Sequence, residues 1–372
     1  MWIKDLLADA FRNLRIPQAE LSPGINVLYG DNAQGKTNFL EAVYFCALGR
    51  PLRGENYKEL IPIGTQAAHV RAVFNGGSEF TVDAYIQQQG SKCVKSLSVD
   101  RVPVKNTREL FGKVPVVSFS PEDLRLIKAG PAERRRFMDI EVCQLSPVYY
   151  RDLREYYRAL RQRNHLLKQL QKDKSEIESL SVWDEQLVRY GLRIMKTRNA
   201  FVARISELAD GIHSEITQGK EALTLEYKPD IAASPSNERE LPTPAFYGAV
   251  LDKYRQRDIT LGSTSAGIHR DDVSFAVKGI SARSFGSQGQ QRTAALSVKL
   301  AEIELMKGRT YTSPILLLDD VFSELDGQRQ QFLLTQIKDV QTLLTCTGLE
   351  DVLSKVKSEH RIIRIRNGEI IQ

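Results

Sequence analysis

The eight residues GDNAQGKT, from Gly30 to Thr37, match the pattern G-x-x-x-x-G-K-[ST]. They lie between a strand-like apolar run, Ile25 to Tyr29, and a helix-like run, Asn38 to Leu48. A strand that leads into a glycine-rich loop and then a helix directs several backbone N–H groups and the positive end of a helix towards one point. The alternative is a glycine-rich turn that contains a lysine by chance. Such a turn would not be expected to lie between a strand and a helix. The stretch therefore predicts a nucleoside triphosphate site.

Two side chains of this loop have expected roles. We expect Lys36 to reach the β- and γ-phosphates and the Thr37 hydroxyl to hold Mg²⁺. ATP and Mg²⁺ are accordingly the predicted cofactors. The predicted nucleotide contacts cover the whole loop, namely Gly30, Asp31, Asn32, Ala33, Gln34, Gly35, Lys36 and Thr37.

A second stretch completes the predicted site. Residues 315–318 are an apolar run that ends in Asp319 and Asp320. In an open parallel sheet, ligands bind at the carboxyl ends of the strands, so acids at that end face the phosphates. We predict that Asp319 joins Thr37 in holding the metal ion and that Asp320 orients or deprotonates the attacking water. Lys36 and Asp320 are the predicted catalytic residues. In a chain without a phosphate loop, a core strand capped by solvated acids would be the better interpretation.

The composition is that of a globular protein with a slightly basic balance. The 372 residues are 42% hydrophobic and 26% charged, with a formal net charge of +6, which is compatible with a polyanionic partner. The four cysteines contain no C-x-x-C pair and the five histidines form no zinc-binding motif, so neither a disulfide framework nor a dedicated metal centre is indicated. With no signal-peptide pattern and no apolar run of about 20 residues, we expect a cytoplasmic protein outside the membrane.

Two long segments differ in their residue pattern. Residues 70–104 are short alternating runs around the turns 75–78 and 100–101, which predicts two antiparallel hairpins. Residues 147–219 have little glycine or proline and repeat apolar residues every three or four positions. This second pattern predicts an antiparallel helical hairpin with arms of about 25 residues, each roughly 37 Å long.

The order of these segments predicts an α/β fold with a split core. Residues 1–115 and 291–372 are predicted to form the two halves of a nucleotide-binding lobe. Residues 116–290 are predicted to form a helical lobe that carries the hairpin. Within it, the proline-rich stretch 229–244 is a predicted loop or linker.

A third motif, residues 284–292, precedes a predicted helix. Ser287 has the character of a helix N-cap, and Gly289 permits close approach of the backbone. Alone this motif is weak evidence for a function. Its order relative to the other motifs is more informative. The chain has a phosphate loop, a long insertion, a Ser-x-Gly-Gln helix start, an apolar strand that ends in acids and a Ser-x-Leu-Asp turn. This order resembles that of ATP-binding-cassette ATPases.

Within that superfamily the chain resembles the chromosome-maintenance and recombination-repair branch, and specifically the RecF family of bacterial recombination mediators. The segments that carry the resemblance cover nearly the whole chain, namely residues 11–14, 35–42, 118–124, 131–139, 267–272, 287–293 and 318–320. The resemblance implies an ATP-binding-cassette-type ATPase head, in which a mixed parallel sheet and an antiparallel sheet accompany an inserted helical lobe with a short antiparallel helical hairpin. It also implies that Arg12 and Asn13 contact the nucleotide.

The resemblance further implies an ATP-dependent homodimer. Ser287, Gly289 and Gln290 of one copy are expected to cover the γ-phosphate that the other copy holds, because a helix N-terminus carries about half a positive charge. Slow hydrolysis would then reset the dimer, so that a weak, DNA-stimulated ATPase acts as a switch.

Three positions depart from the general cassette pattern. Asp320 stands where most members have Glu, and Thr345 lies where a histidine usually follows the next strand. Glu122 lies in the likely counterpart of a loop whose glutamine usually senses the γ-phosphate. The shorter acid makes slow hydrolysis plausible, and the roles of Thr345 and Glu122 stay open.

A row of basic residues on the first helical arm predicts a DNA contact. The row lies opposite an apolar stripe of Leu153, Tyr157, Leu160 and Leu167. Its predicted DNA-binding members are Arg151, Arg154, Arg158, Arg161 and Lys168. We prefer DNA to an ordinary solvated face because the acids are expected to lie away from the row. No base-reading module is recognisable, so binding should not depend on sequence. Residues 134–136 either extend this surface or form ion pairs.

The function implied by the resemblance is recombinational repair and replication restart after DNA damage, in the SOS response. Such a protein binds single-stranded and gapped or junction DNA and helps RecO and RecR to load RecA. Three alternatives fit the sequence less well. A transporter's ATP-hydrolysing subunit conflicts with the helical hairpin, and a P-loop kinase or GTPase would not respond to DNA. A structural chromosome-maintenance protein would need arms of several hundred residues.

Overall fold

The computed structural model describes residues 1–54, 56–123, 126–232, 241–309, 313–356 and 359–371. The chain divides into two compact units: residues 1–124 with 299–372 form the first, and residues 125–298 the second. The sequence-based boundary after residue 115 precedes these observed limits, because strand Val116–Phe119 still hydrogen-bonds within a sheet of the first unit.

The first unit contains an antiparallel sheet in the order β2-β1-β4-β5-β6-β7. Its strands are β1 (Trp2–Phe11), β2 (Leu14–Glu20), β4 (Ala67–Asn75), β5 (Glu79–Gln89), β6 (Lys92–Val99) and β7 (Val102–Pro103). Both predicted hairpins are confirmed, since β4 pairs with β5 and β6 with β7. Asp100 and Arg101 adopt φ values of 49° and 67°, as a tight two-residue turn with the sheet's twist requires.

A second, mixed sheet of the first unit has the order β15-β14-β3-β13-β12-β8. Its strands are β3 (Ile25–Tyr29), β8 (Val116–Phe119), β12 (Ile315–Asp319), β13 (Thr342–Cys346), β14 (His360–Arg366) and β15 (Glu369–Ile371). All neighbours are parallel except β14 and β15. Because parallel strands end at one edge, the residues after β3, β12 and β13 lie together there.

Helix α1 (Lys36–Leu48) follows β3 and is buried along most of its length. Apolar side chains from α1, the antiparallel sheet and one face of the mixed sheet form a single core, which includes Phe45, Val70 and Leu317. Helices α8 (Gly327–Gln336) and α9 (Leu349–Leu353) follow β12 and β13. The predicted combination of a mixed sheet with an antiparallel sheet is therefore confirmed.

The second unit is mainly helical. Its elements are α2 (Pro131–Leu145), α3 (Pro147–Leu170), α4 (Leu180–Thr217), β9 (Leu223–Lys228), α5 (Pro244–Leu261), β10 (Asp272–Val277), β11 (Ile280–Ser281), α6 (Ala282–Phe285) and the first turns of α7 (Gln288–Arg309). Helices α3 and α4 form the predicted antiparallel hairpin. Helix α4 has 38 residues against 24 for α3, so the predicted arm length fits α3 alone. Of the predicted linker, residues 233–240 lie outside the described residues.

The packed face of α3 differs from the predicted stripe. Leu160 and Leu167 are buried as expected, but Leu153 and Tyr157 are only half-buried. Their places are taken by Tyr156 and by a fully buried Arg163. A prediction from the spacing of apolar residues cannot place a buried polar residue such as Arg163.

Arg163 is accommodated by charge. Its guanidinium pairs with Asp184 of α4 at 2.6 Å and with Asp258 of α5 at 2.7 Å, and it donates to the Thr264 hydroxyl at 2.9 Å. A buried cation needs such partners, because removal from water costs several kcal/mol. The cluster therefore ties α3, α4 and α5 together.

Candidate functional site

The phosphate loop joins β3 to α1 with a backbone that only glycine can adopt at two positions. Gly30 and Gly35 have φ values of 154° and 112°. A Cβ at Gly30 would lie 2.3 Å from the Ile365 carbonyl oxygen, and one at Gly35 would lie 2.9 Å from the side-chain oxygen of Asn13. Close packing against β14 and against the β1–β2 turn therefore fixes the loop.

The Lys36 ammonium lies inside this loop. Its Nζ donates to the carbonyl oxygens of Gly30 and Asp31, each at 2.7 Å. Burial lowers the pKa of Lys36, and the nearby carboxylates of Asp320 and Asp319 oppose that shift. A desolvated ammonium held by two neutral carbonyls is well prepared to bind an anion.

Thr37 and the acids of β12 form one hydrogen-bonded group. The Thr37 hydroxyl donates to Oδ1 of Asp319 at 2.8 Å, and the Thr345 hydroxyl donates to the same oxygen at 2.9 Å. The Thr345 oxygen also accepts from the backbone N–H of Asp320 at 2.8 Å. Asp320 has a φ of 51°, a left-handed conformation that this bond helps to hold. Sequence reasoning left Thr345 without a role, because its place next to Asp319 follows from the order of the strands in the sheet.

The donor set fits magnesium. A hydroxyl and a carboxylate are the hard oxygen ligands that Mg²⁺ prefers, and this ion usually takes only one or two protein ligands beside phosphates and water. Within the described ranges, no group of three or more His, Cys, Asp or Glu side chains that could hold a metal occurs. The pair Thr37 and Asp319 is therefore suited to an ion shared with a nucleotide.

Arg12 and Asn13 lie beside the first turns of α1. Arg12 makes a bidentate ion pair with Glu41, whose side chain is fully buried, and Arg53 pairs with the same carboxylate at 3.1 Å. Asn13 accepts a hydrogen bond from Asn38 at 2.7 Å. Sequence reasoning did not single out Glu41, although a carboxylate within an apolar helix was a visible signal.

The turn between β14 and β15 packs against the phosphate loop, a contact that the sequence did not predict. The Gly368 N–H donates to the Gln34 carbonyl at 2.8 Å, and the Asn367 N–H donates to its side-chain oxygen at 2.6 Å. Gly368 also accepts a hydrogen bond from the Arg15 N–H at 2.9 Å. This turn thus connects the phosphate loop with β2.

The Ser-x-Gly-Gln segment belongs to the second unit and begins α7. The Ser287 hydroxyl accepts from the Gln290 N–H at 3.2 Å, while the Gln290 side chain accepts from the Ser287 N–H at 3.0 Å. This reciprocal pair is a capping box, so the predicted N-cap is present. Ser287 and Gly289 are exposed, and Phe285 just before them is 78% exposed. The helix start is therefore available to a ligand or partner.

All five predicted DNA-binding residues, Arg151, Arg154, Arg158, Arg161 and Lys168, are exposed. The expectation that the neighbouring acids lie apart was wrong. Asp152 pairs with Arg151 at 3.1 Å, and Glu155 pairs with Arg154 at 3.2 Å and with Arg158 at 3.7 Å. The long arginine side chains bend to these carboxylates, and the step from Glu155 to Arg158 is an ordinary helical pair spacing, so the row is partly neutralised.

The arginines at 134 and 135 are structural. Arg134 is buried and pairs with Asp272 at 2.6 Å, and Arg135 donates to the Asp271 carbonyl oxygen at 2.7 Å. Nearby, the fully buried Arg198 pairs with the Asp271 carboxylate at 2.8 Å. Burial raises the pKa of Asp271, and Arg198 opposes the shift. Residues 267–272 therefore anchor α2 and α4 to β10.

Within the part of the chain that the structure covers, no helix combines the length and the apolar surface needed to cross a bilayer.

Comparison with known proteins identifies the family. The model of the RecF/RecN/SMC N terminal domain matches residues 2–370. The DNA replication and repair protein RecF of Lachnoclostridium phytofermentans is 45% identical over 371 residues, covering 100% of this chain and 99% of that protein. RecF of Clostridium acetobutylicum is 39% identical over 375 residues and is matched over the full length of both chains.

Solved structures agree with this result. A structure of the recombination mediator protein RecF with ATP, described in the RecFOR pathway, superposes with a TM-score of 0.90 at 32% identity, covering 100% of this chain and 97% of that one. The Smc head domain of Pyrococcus furiosus gives a TM-score of 0.55 at 16% identity, which shows a shared fold only. The resemblance inferred from the motifs is confirmed, and with it the cassette-type head fold with a helical insertion: the chain belongs to the RecF family of DNA replication and repair proteins.

Proposed function

We propose that this chain is an ATP-controlled DNA-binding protein whose nucleotide site is completed by a second copy. The observation that carries the proposal is the group formed by Lys36, Thr37 and Asp319 at one sheet edge, which provides an ammonium and two oxygen ligands next to the phosphate loop. The relative solved as RecF with ATP supports the choice of nucleotide. Mg²⁺ is the proposed partner of Thr37 and Asp319.

In this proposal the phosphate loop of one copy is covered by Ser287, Gly289 and Gln290 of another. The capped, exposed start of α7 presents backbone N–H groups and the positive end of a helix, which suits a γ-phosphate. The exposed Phe285 supplies apolar surface for the association. Arg12 and Asn13 are proposed to contact the nucleotide, and hydrolysis, with Lys36 and Asp320 as catalytic residues, separates the two copies.

DNA is the proposed polyanion, and α4 strengthens this assignment. Between Glu185 and Glu207 the chain has no acidic residue. Arg189, Arg193 and Lys196 are exposed on this stretch and recur at four- and three-residue steps on one helix face. Helix α4 thus carries a basic row with fewer acidic residues among its members than the row on α3.

The rows on α3 and α4 lie side by side. Asp152 lies between them, 3.1 Å from Arg151 of α3 and 3.9 Å from Arg193 of α4. Phosphates arriving at this surface would compete for both arginines. Two adjacent basic rows suit a nucleic-acid backbone, whose contacts carry no sequence information.

The biological role proposed from family membership is recombinational repair at single-strand gaps and stalled forks. Solved relatives are described as recombination mediators in the RecFOR pathway. We propose that this chain acts with RecR and RecO to help load RecA on gapped DNA, and that its ATPase times DNA residence.

The testing experiment is DNA binding with ATP, with ADP and without nucleotide, for the wild type and Lys36→Arg. Binding is expected to be tightest with ATP for the wild type and to lose that preference in the variant. The affinity should fall with salt at a log–log slope of about −0.9 per phosphate contact on duplex DNA, and replacing Arg189 and Arg193 with Gln should reduce the slope by about 2. Nucleotide-independent binding with a flat salt response would refute the proposal.

A further inference from the structure

We propose that Glu221, in the turn between α4 and β9, is a positioning residue for the helix start that covers the second copy's nucleotide. This inference rests on the function proposed above and assigns a new residue to that site. It arises from a chain of polar contacts within the second unit that runs from Ser287 through Gln290 and Glu221 to the buried His213.

The first link fixes the capping box. Glu221 accepts a hydrogen bond from Nε2 of Gln290 at 2.8 Å. This contact sets which way the Gln290 amide faces, because its other atom, Oε1, must then point to the Ser287 N–H, 3.0 Å away. Without Glu221, the amide can rotate, and the capping box loses one of its two bonds. Both Ser287 and Gln290 belong to the proposed nucleotide cover, so their orientation matters for function.

The second contact lies on the other side of the Glu221 carboxylate. Its other carboxylate oxygen lies 3.6 Å from Nε2 of His213, a fully buried residue of α4. Nδ1 of the same imidazole lies 3.2 Å from the Ser297 hydroxyl, which is also fully buried and belongs to α7. The Glu221 carboxylate therefore contacts the start of α7 at Gln290, while His213 connects α4 with α7 about two turns further along, at Ser297.

Other charged groups around Glu221 leave this arrangement intact. Lys278, in the turn between β10 and β11, lies 3.9 Å from Oε1, at the outer limit of an ion pair. The Thr217 hydroxyl donates to the His213 backbone carbonyl at 2.7 Å, and the Glu221 backbone carbonyl lies 3.4 Å from it. The Glu221 side chain is only 17% exposed, so its position is well determined. A solvated surface glutamate would have no such set of partners.

The test compares Glu221→Ala and Glu221→Gln with Glu207→Ala, a control on an exposed glutamate of α4 that pairs with Arg204. Light scattering with ATP measures association, and nucleotide titration at low protein concentration measures binding to the single copy. Loss of one hydrogen bond per site corresponds to about tenfold, so Glu221→Ala should weaken a symmetric dimer by about 100-fold. Nucleotide binding to the single copy should be unchanged, and Glu221→Gln, which retains an acceptor, should be affected less.

A mixing experiment separates positioning in trans from a general structural defect. In a mixed dimer of Glu221→Ala with Lys36→Ala, one of the two composite sites contains neither substitution. Mixing should therefore raise ATP-dependent association above that of Lys36→Ala alone, whereas a general structural defect in Glu221→Ala would leave it unchanged. No restoration, or equal association of Glu221→Ala and Glu207→Ala, would overturn the inference. If the wild type itself does not associate with ATP, the proposed function fails instead.

Discussion

The Thr37 hydroxyl lies 2.8 Å from Oδ1 of Asp319, although 282 residues separate them in the chain. The bond joins the first turn of α1 to the end of β12, so the two halves of the split core meet at the point where we propose that Mg²⁺ binds. Thr345 donates to the same carboxylate oxygen from β13. Two hydroxyls thus orient one carboxylate, and one of them also holds the backbone of Asp320.

Replacing Thr345 tests its role in positioning the two acids. Thr345→Val keeps the shape of the side chain and removes the hydroxyl that bonds both Asp319 and the Asp320 N–H. We expect ATP hydrolysis to slow by about tenfold to 100-fold, since one or two hydrogen bonds are lost, while ATP binding changes much less. Thr345→Ser should restore most of the rate. Single-turnover hydrolysis with parallel nucleotide titration makes the comparison; equal rates for Val and Ser would exclude this role.

Arg163 offers a stability test with a control two residues away on α3. Arg163→Met leaves Asp258 buried without its cation, so we expect a loss of about 3–5 kcal/mol in the free energy of unfolding. Arg161→Met changes an exposed residue and should alter it by less than about 0.5 kcal/mol. Urea unfolding followed by helix content distinguishes them. Similar midpoints for the two variants would show that the cluster contributes no net stability.

Gly368 tests whether the β14–β15 turn supports the phosphate loop. Gly368→Ala would place a Cβ 1.8 Å from the Asn13 carbonyl oxygen, in a backbone with a φ of 80°. Gly279→Ala is the matched control, because its φ of 75° is similar and nothing lies within 4 Å. In the control, the free energy of unfolding should fall only by the cost of placing alanine in a left-handed conformation, about 1–2 kcal/mol. Gly368→Ala should in addition weaken ATP binding, which calorimetry measures. An unchanged affinity would show that the turn does not support the nucleotide site.

Cys346, at the end of β13, makes a pH prediction. Burial raises the pKa of its thiol from 9.0 to about 11, partly opposed by the Lys36 ammonium. Since the folded pKa exceeds the unfolded one, the proton contributes stability that is complete below pH 9.0 and disappears as the pH rises through about 11. Iodoacetamide modification of Cys346, followed by mass spectrometry, should rise up to about pH 11 in the folded protein. In urea the rate should level off near pH 9.0, the ordinary value for a thiol; a folded-state plateau there would contradict the prediction.

Local spacing made part of this molecule predictable. The phosphate loop and its flanking strand and helix follow from a contiguous run, and the acids of β12 follow from an apolar strand with a polar end. The helical hairpin follows from a periodic pattern. In each case the decisive interactions occur within one turn or one strand.

The remainder depends on contacts between distant segments. Arg163 and Arg198 resemble surface residues in the sequence, since only the folded chain brings carboxylates to them. The placement of Thr345 beside Asp319 needed the strand order. The acids of α3 were misplaced because a helical wheel ignores how far an arginine side chain can bend towards a neighbour.

The contact between Gly368 and Gln34 has a consequence for the order of folding. The phosphate loop takes two hydrogen bonds from a turn that is far away in the chain, since Asn367 and Gln34 are 333 positions apart. Contacts within the loop alone cannot supply this support. The loop therefore reaches its final form only when β14 and β15 have joined the mixed sheet.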